Sequence, residues 1–120
     1  MRKISIRQFA TIALLGFAFA LLPTAGAQAA DVTIQTGCGQ SMKPEISGGL
    51  AYWKASCDGN IMTVKGWVKD TADDDECARV KANLGGIWHY SDRACPKGKI
   101  EWFTFKGPDK NAQIYLYRES

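Results

Sequence analysis

Cys38, Cys57, Cys77 and Cys95 are the only cysteines of the chain, and they constrain its fold more than any other feature. Their meaning depends on redox compartment, which the first 29 residues indicate. "MRKISIRQ" carries Arg2, Lys3 and Arg7 without an acid, "FATIALLGFAFALL" is uncharged and apolar, and "PTAGAQAA" ends in small residues. Three such regions in that order read as a secretory signal peptide over residues 1–29, with cleavage expected after Ala29. An apolar run of about fourteen residues falls short of the ~20 that cross a bilayer, so no membrane span is expected. In an exported chain, four cysteines read as two disulfides with three connectivities open. The competing zinc reading lacks a C-x-x-C spacing and has one histidine, His89.

Residues 30–120 then make one small domain, expected to be monomeric and too short to build a large core without covalent restraint. Removing the leader also changes the charge. The chain has 15 Lys+Arg against 12 Asp+Glu, and losing Arg2, Lys3 and Arg7 leaves the two signs equal. A domain without basic excess is a poor nucleic-acid binder, and that class of partner is set aside.

Along the domain, short apolar-rich runs alternate with turn residues: "LAYWKASC", "NIMTVKGWVK", "CARVKANL", "IWHYSDRAC", "KIEWFTFKG" and "AQIYLYRE", with "DVTIQTG" as a further strand before them. They are rich in β-branched and aromatic residues, and none sustains a helical period. The expectation is an all-β chain, a small antiparallel β-sandwich or a partly open barrel, with "QSMKPEISGG" as an irregular loop. Most of the four tryptophans are expected in core or rim packing.

The segment between Cys77 and Cys95 can be read by register. Setting these cysteines opposite one another across an antiparallel hairpin makes "GGI" the loop. Leu84 then faces Trp88, and Tyr90 and Trp88 join Val80, Ala82 and Leu84 on one apolar side. A two-residue "GG" loop would instead place Trp88 opposite Asn83 and Tyr90 opposite Lys81, mixing the sides, because a slip of one residue reverses every side chain. The three-residue loop is therefore expected. Opposite strand residues lie within disulfide range, so Cys77 is expected to pair with Cys95 and Cys38 with Cys57.

In that register the other side of the hairpin carries Arg79, Lys81 and Asn83 against Arg93, Ser91 and His89. Arg79 opposite Arg93 is a repulsive pair, which needs an offset from Asp92 or the acidic loop, or else a use. Arg79, Lys81, His89 and Arg93 form a candidate binding surface for an anionic partner, and Trp67, alternating with Lys65 and Lys69, is the tryptophan singled out for exposure.

Catalysis has little to work with. Strand alternation places Asp92 away from His89 and Ser91, every cysteine is committed to a bridge, and no pair of carboxylates has a set spacing. An enzyme is not expected, and no cofactor or metal is called for. The acidic loop from Asp70 to Glu76 has oxygens enough for calcium but lacks the order of an EF-hand.

"VKDTADDDECARVKA", "SDRACPKGK" and the closing "IYLY" resemble the small exported two-disulfide β-proteins of actinobacteria. That resemblance implies the fold and leaves the activity unassigned. A second resemblance is to the tendamistat-type α-amylase inhibitors, also two-disulfide β-sandwiches, which present a Trp-Arg-Tyr triplet to their target. This chain has Trp88-His89-Tyr90, with histidine in place of arginine. Two functions follow as expectations: a secreted non-enzymatic module that binds an extracellular protein or cell-wall polymer, or an inhibitor of a secreted hydrolase. Buried Trp88 and Tyr90 would fit the first, and both exposed at a protruding tip would fit the second.

Overall fold

The long strands of the computed structural model alternate more buried with more exposed residues, as two sheets packed face to face require. It describes residues 30–120, and the signal peptide expected over residues 1–29 lies outside the described residues. The strands are β1 (Asp31–Gly37), β2 (Ser41–Met42), β3 (Glu45–Ile46), β4 (Gly49–Asp58), β5 (Ile61–Asp70), β6 (Cys77–Leu84), β7 (Ile87–Tyr90), β8 (Ile100–Pro108) and β9 (Asn111–Glu119). Sheet A runs β1-β9-β6-β7 and sheet B runs β2-β4-β5-β8, with β3 also paired to β4. All pairings are antiparallel. Among the described residues no helix is long and apolar enough to cross a membrane.

The chain is thus an all-β sandwich. The segment "QSMKPEISGG", expected as irregular, contains the two short strands β2 and β3. Sheet A contributes Val80, Ala82, Leu84, Ile114 and Leu116 to the core, and sheet B contributes Trp53, Met62, Val64, Val68, Phe103 and Phe105. Trp53 is fully buried at the centre. Its indole N–H donates to the Oγ1 of Thr36, on the other sheet, at 3.0 Å. That bond satisfies two polar groups that burial would otherwise leave costly.

Sheet B is drawn tight at Gly66, which pairs with Trp53. A Cβ at Gly66 would overlap the Tyr52 carbonyl oxygen and lie 2.8 Å from the Trp53 Cα, so the approach of β4 to β5 admits only glycine.

Both expected disulfides are present. Cys38–Cys57 ties the end of β1 in sheet A to β4 in sheet B, and Cys77–Cys95 closes the base of the β6–β7 hairpin with Cα atoms 4.8 Å apart. Each loop is long enough for its closure to remove about 3 kcal/mol of freedom from the unfolded chain. Disulfides of this kind are typical of extracellular proteins.

The hairpin's tip differs from the sequence reading. Leu84 pairs with Ile87, Asn83 with Trp88 and Lys81 with Tyr90, across a two-residue Gly85–Gly86 turn. Both glycines have positive φ, 61° and 89°, the conformation that matches the twist of the flanking strands. At the base Ala78 pairs with Ala94, which is the register of the cysteines. The return strand runs one residue longer than β6 in between, and Ser91 absorbs the difference. Its N–H donates to the Val80 carbonyl, while its hydroxyl accepts from the Val80 N–H at 3.0 Å and donates to the Asp92 carbonyl at 2.9 Å. One bulge lets the turn and the disulfide each keep its own register.

Candidate functional site

Of the four tryptophans and four tyrosines in the chain, only Trp53 lies in the core. The other seven stand on the two outer faces of the sandwich, so three of the four tryptophans lie outside the core. Trp102 is 74 % exposed, Tyr90 51 % and Trp88 42 %.

The outer face of sheet A carries the residues that the sequence singles out. Trp88 and Tyr90 point outward, opposite Asn83 and Lys81, rather than toward Leu84 and Val80. His89 consequently faces inward, half-buried, with its ring 5.7 Å from that of Phe105, and leaves the candidate surface. The cations here are taken up within the fold. Arg79 donates to Glu119 Oε2 at 3.2 Å and to the Ser91 carbonyl at 2.8 Å, and Arg93 reaches the same Glu119 oxygen at 3.1 Å. The repulsion between Arg79 and Arg93 is thus relieved by the last strand, not by Asp92 or the acidic loop. Lys81 Nζ sits 5.0 to 5.3 Å from the ring centres of Tyr117, Tyr115 and Trp88, and the Arg79 guanidinium lies 5.1 Å from the centre of Tyr90. Such cation–ring contacts contribute about 0.5–1 kcal/mol each at exposed sites. Burial raises the Tyr117 phenol above its usual value, with Arg79 pulling it the other way.

The tip of the hairpin does not protrude. Gly85 N–H donates to Asp109 Oδ2 at 3.0 Å, which moors the turn to the β8–β9 connection. Backbone N–H groups of Gly85, Asn111 and Lys110 hold the Asp109 carboxylate below its usual pKa.

The outer face of sheet B is built differently. Tyr52 on β4 pairs with Trp67 on β5, and Trp67 pairs with Trp102 on β8, so three aromatic side chains form one row across three strands. Tyr52 and Trp67 stack with ring centres 6.4 Å apart. Trp67 is half-buried, while Trp102, which the sequence reading did not single out, is the more exposed. Two residues along the strands lies a second row, Lys54–Lys65–Thr104, and beyond it a third, Ser56–Thr63–Lys106. On the other flank of the aromatic row stands Lys69, between Leu50 and Ile100. A shallow groove of about 500 Å³ follows the first two rows, and another of about 550 Å³ continues past Thr63 and Lys106.

Outward positions of β4, β5 and β8 therefore carry Lys54, Lys65, Lys69 and Lys106 against Asp58. Among the described residues no ion pair involves any of these four lysines. Lys54 and Lys65 are direct cross-strand partners, a like-charge pair that weakens a sheet.

In the acidic loop, Arg118 engages Asp74 and Glu76 at 3.2 Å each. Among the described residues no three His, Cys, Asp or Glu side chains gather as a metal site would need. No known family model, curated protein or solved structure matches this chain.

Proposed function

We propose that this chain is a secreted, non-enzymatic binding module whose ligand surface is the outer face of sheet B and whose ligand is an extracellular polysaccharide. The observation that carries the reading is the Tyr52–Trp67–Trp102 row, aligned by strand register and ending in a tryptophan that is 74 % exposed. Aromatic rings on a rigid sheet offer large contact area at small entropic cost, and their faces suit the C–H face of a sugar ring. Export is supported by the leader-like residues 1–29 and by two disulfides. A surface of this kind needs no reacting group, and Ser91, the hydroxyl nearest His89 in sequence, is engaged by the Val80 N–H and the Asp92 carbonyl.

The test is affinity electrophoresis of the full-length chain in gels containing plant, fungal and bacterial polysaccharides. At least one should retard it, and Trp102→Ala should remove the retardation without moving the melting temperature. Migration of the wild type equal to that of Trp102→Ala in every gel would sink the reading.

A second reading, inhibition of a secreted hydrolase, is favoured by the exposure of Trp88 and Tyr90 on the edge strand β7. Against it stand the mooring of the tip by Asp109 and the engagement of both rings by Lys81 and Arg79. Inhibition of an α-amylase by the wild type, abolished in Trp88→Ala and kept in Trp102→Ala, would decide for it.

A further inference from the structure

We infer that the polysaccharide is anionic, a polyuronate whose sugar rings lie on Tyr52, Trp67 and Trp102 and whose carboxylates meet Lys54, Lys65 and Lys106. This rests on the outer face of sheet B being the ligand surface, and adds the charge class of the ligand.

The aromatic row spans two inter-strand spacings, about 10 Å, room for a short stretch of glycan. The neighbouring row, with Lys54 and Lys65, lies two residues further along the strands, about 7 Å away. A sugar ring on the aromatic row therefore brings its ring substituents within reach of a four-carbon lysine stem. Thr104, Thr63 and Ser56 supply hydroxyls between the charges.

Charge accounts for the choice of an acidic polymer. Lys54 and Lys65 face each other without an acid between them, and among the described residues no acid makes an ion pair with Lys69 or Lys106. An array of carboxylates offsets that repulsion and gains from it, whereas a neutral glycan would leave it in place.

Lysine meets carboxylate and phosphate alike as a point charge, so the choice of a carboxylated sugar rests on the aromatic row, whose faces suit sugar rings. All three arginines of the described domain, Arg79, Arg93 and Arg118, are engaged with Glu119, Asp74 or Glu76. The outward positions of β4, β5 and β8 have lysine alone.

The experiment measures binding of the full-length chain to polygalacturonate, alginate and hyaluronate, with fully methyl-esterified polygalacturonate, a neutral glucan and single-stranded DNA as contrasts. At least one polyuronate should bind at least about tenfold more tightly than the neutral polymers. That preference should fade as salt shortens the Debye length from about 10 Å at 0.1 M to about 3 Å at 1 M. The double variant Lys54→Gln with Lys65→Gln should lose the preference while its melting temperature holds or rises, and Trp102→Ala should lose binding altogether.

Equal binding of the esterified and free polymers overturns the inference and leaves the ligand surface standing, as does binding of the neutral glucan alone. Tighter binding of DNA than of any polyuronate overturns it in favour of another class of macromolecule. No binding to any polymer, in wild type and variants alike, overturns the inference and the ligand surface together.

Discussion

Lys81 on sheet A and Lys65 on sheet B occupy equivalent places, outward on a central strand beside aromatic rings, yet their surroundings are opposite. Lys81 is enclosed by Trp88, Tyr115 and Tyr117, and its neighbour Arg79 is bound to Glu119 and packed on Tyr90. Lys65 faces Lys54 and stands beside the Tyr52–Trp67–Trp102 row, and among the described residues it has no ion-pair partner and no cation lies over those rings. The outward cations of sheet A, Arg79, Lys81 and Arg93, are held inside the sheet, the two arginines by Glu119 and Lys81 by aromatic rings. Those of sheet B are four lysines against Glu45 and Asp58, none of them in an ion pair among the described residues. The difference separates cations that hold the fold together from cations left available to a partner, a distinction that counting charges along the chain does not make.

The largest expected effect breaks one face and spares the other. Gly66→Ala should force β4 away from β5, since the added Cβ meets backbone rather than a yielding side-chain end. Its cost should reach or exceed the 1–3 kcal/mol usual for overpacking, read from the urea midpoint. Ring alignment between Tyr52 and Trp67 should go with it, while the Lys81 cluster on sheet A stays intact.

The same substitution on each face sharpens the contrast. Lys81→Gln removes a cation from three rings and should lower stability by about 1 kcal/mol. Lys65→Gln removes only repulsion and should raise stability by about 0.2–0.5 kcal/mol. Equal effects of the two in thermal melts would erase the distinction drawn between the faces.

A smaller effect comes from Glu119→Gln, which frees Arg79 and Arg93 from their shared carboxylate. The stability loss should be about 0.5 kcal/mol, as for partly exposed ion pairs. Sheet A should then gain salt-sensitive retention on an anionic resin that the wild-type face lacks, measurable in a background of Lys54→Gln with Lys65→Gln.

The smallest concerns Asp109, at the seam where the hairpin tip of sheet A meets the turn leaving sheet B. Its carboxylate is held below the usual aspartate pKa by backbone N–H groups, that of Gly85 foremost. The folded-state pKa is therefore lower than the unfolded one. The stabilisation is fully present above about pH 4 and disappears as pH falls through the depressed folded value. Asp109→Asn should flatten the acid limb of a stability profile below about pH 4 and leave the neutral limb parallel to wild type.

Much of this architecture is legible in the residues. "CARVKANL" is the strand Cys77–Leu84 to the residue, and both disulfide pairings follow from placing Cys77 opposite Cys95. The alignment of Tyr52 with Trp67 is also implicit in the chain. Gly59–Asn60 is a two-residue turn with Gly59 at a φ of 62°, which sets Asp58 opposite Ile61 and fixes every pair behind it.

Two things were beyond local pattern. The register of the hairpin tip departs from one uniform ladder, because Ser91 answers the Val80 N–H with its own hydroxyl and shifts the count by one. The faces of β7 and β8 were ambiguous because both sides are apolar: Trp102 alternates with Phe103, and Trp88 with Ile87. Alternation says which residues travel together, not which set turns inward. Placing Trp102 beside Trp67 also requires β8 to return to sheet B after the chain has crossed to sheet A and back, a pairing no short-range signal encodes.

The partition of the tryptophans has an optical consequence. Trp53, sealed in the core and hydrogen-bonded to Thr36, should emit toward the blue and resist aqueous quenchers until the domain unfolds. Trp67, Trp88 and Trp102 emit from the outer faces, where iodide or an adsorbed polymer can reach them. Folding and ligand capture are thereby written into separate parts of a single emission spectrum, and single Trp→Phe replacements would assign each part to its ring without any attached dye.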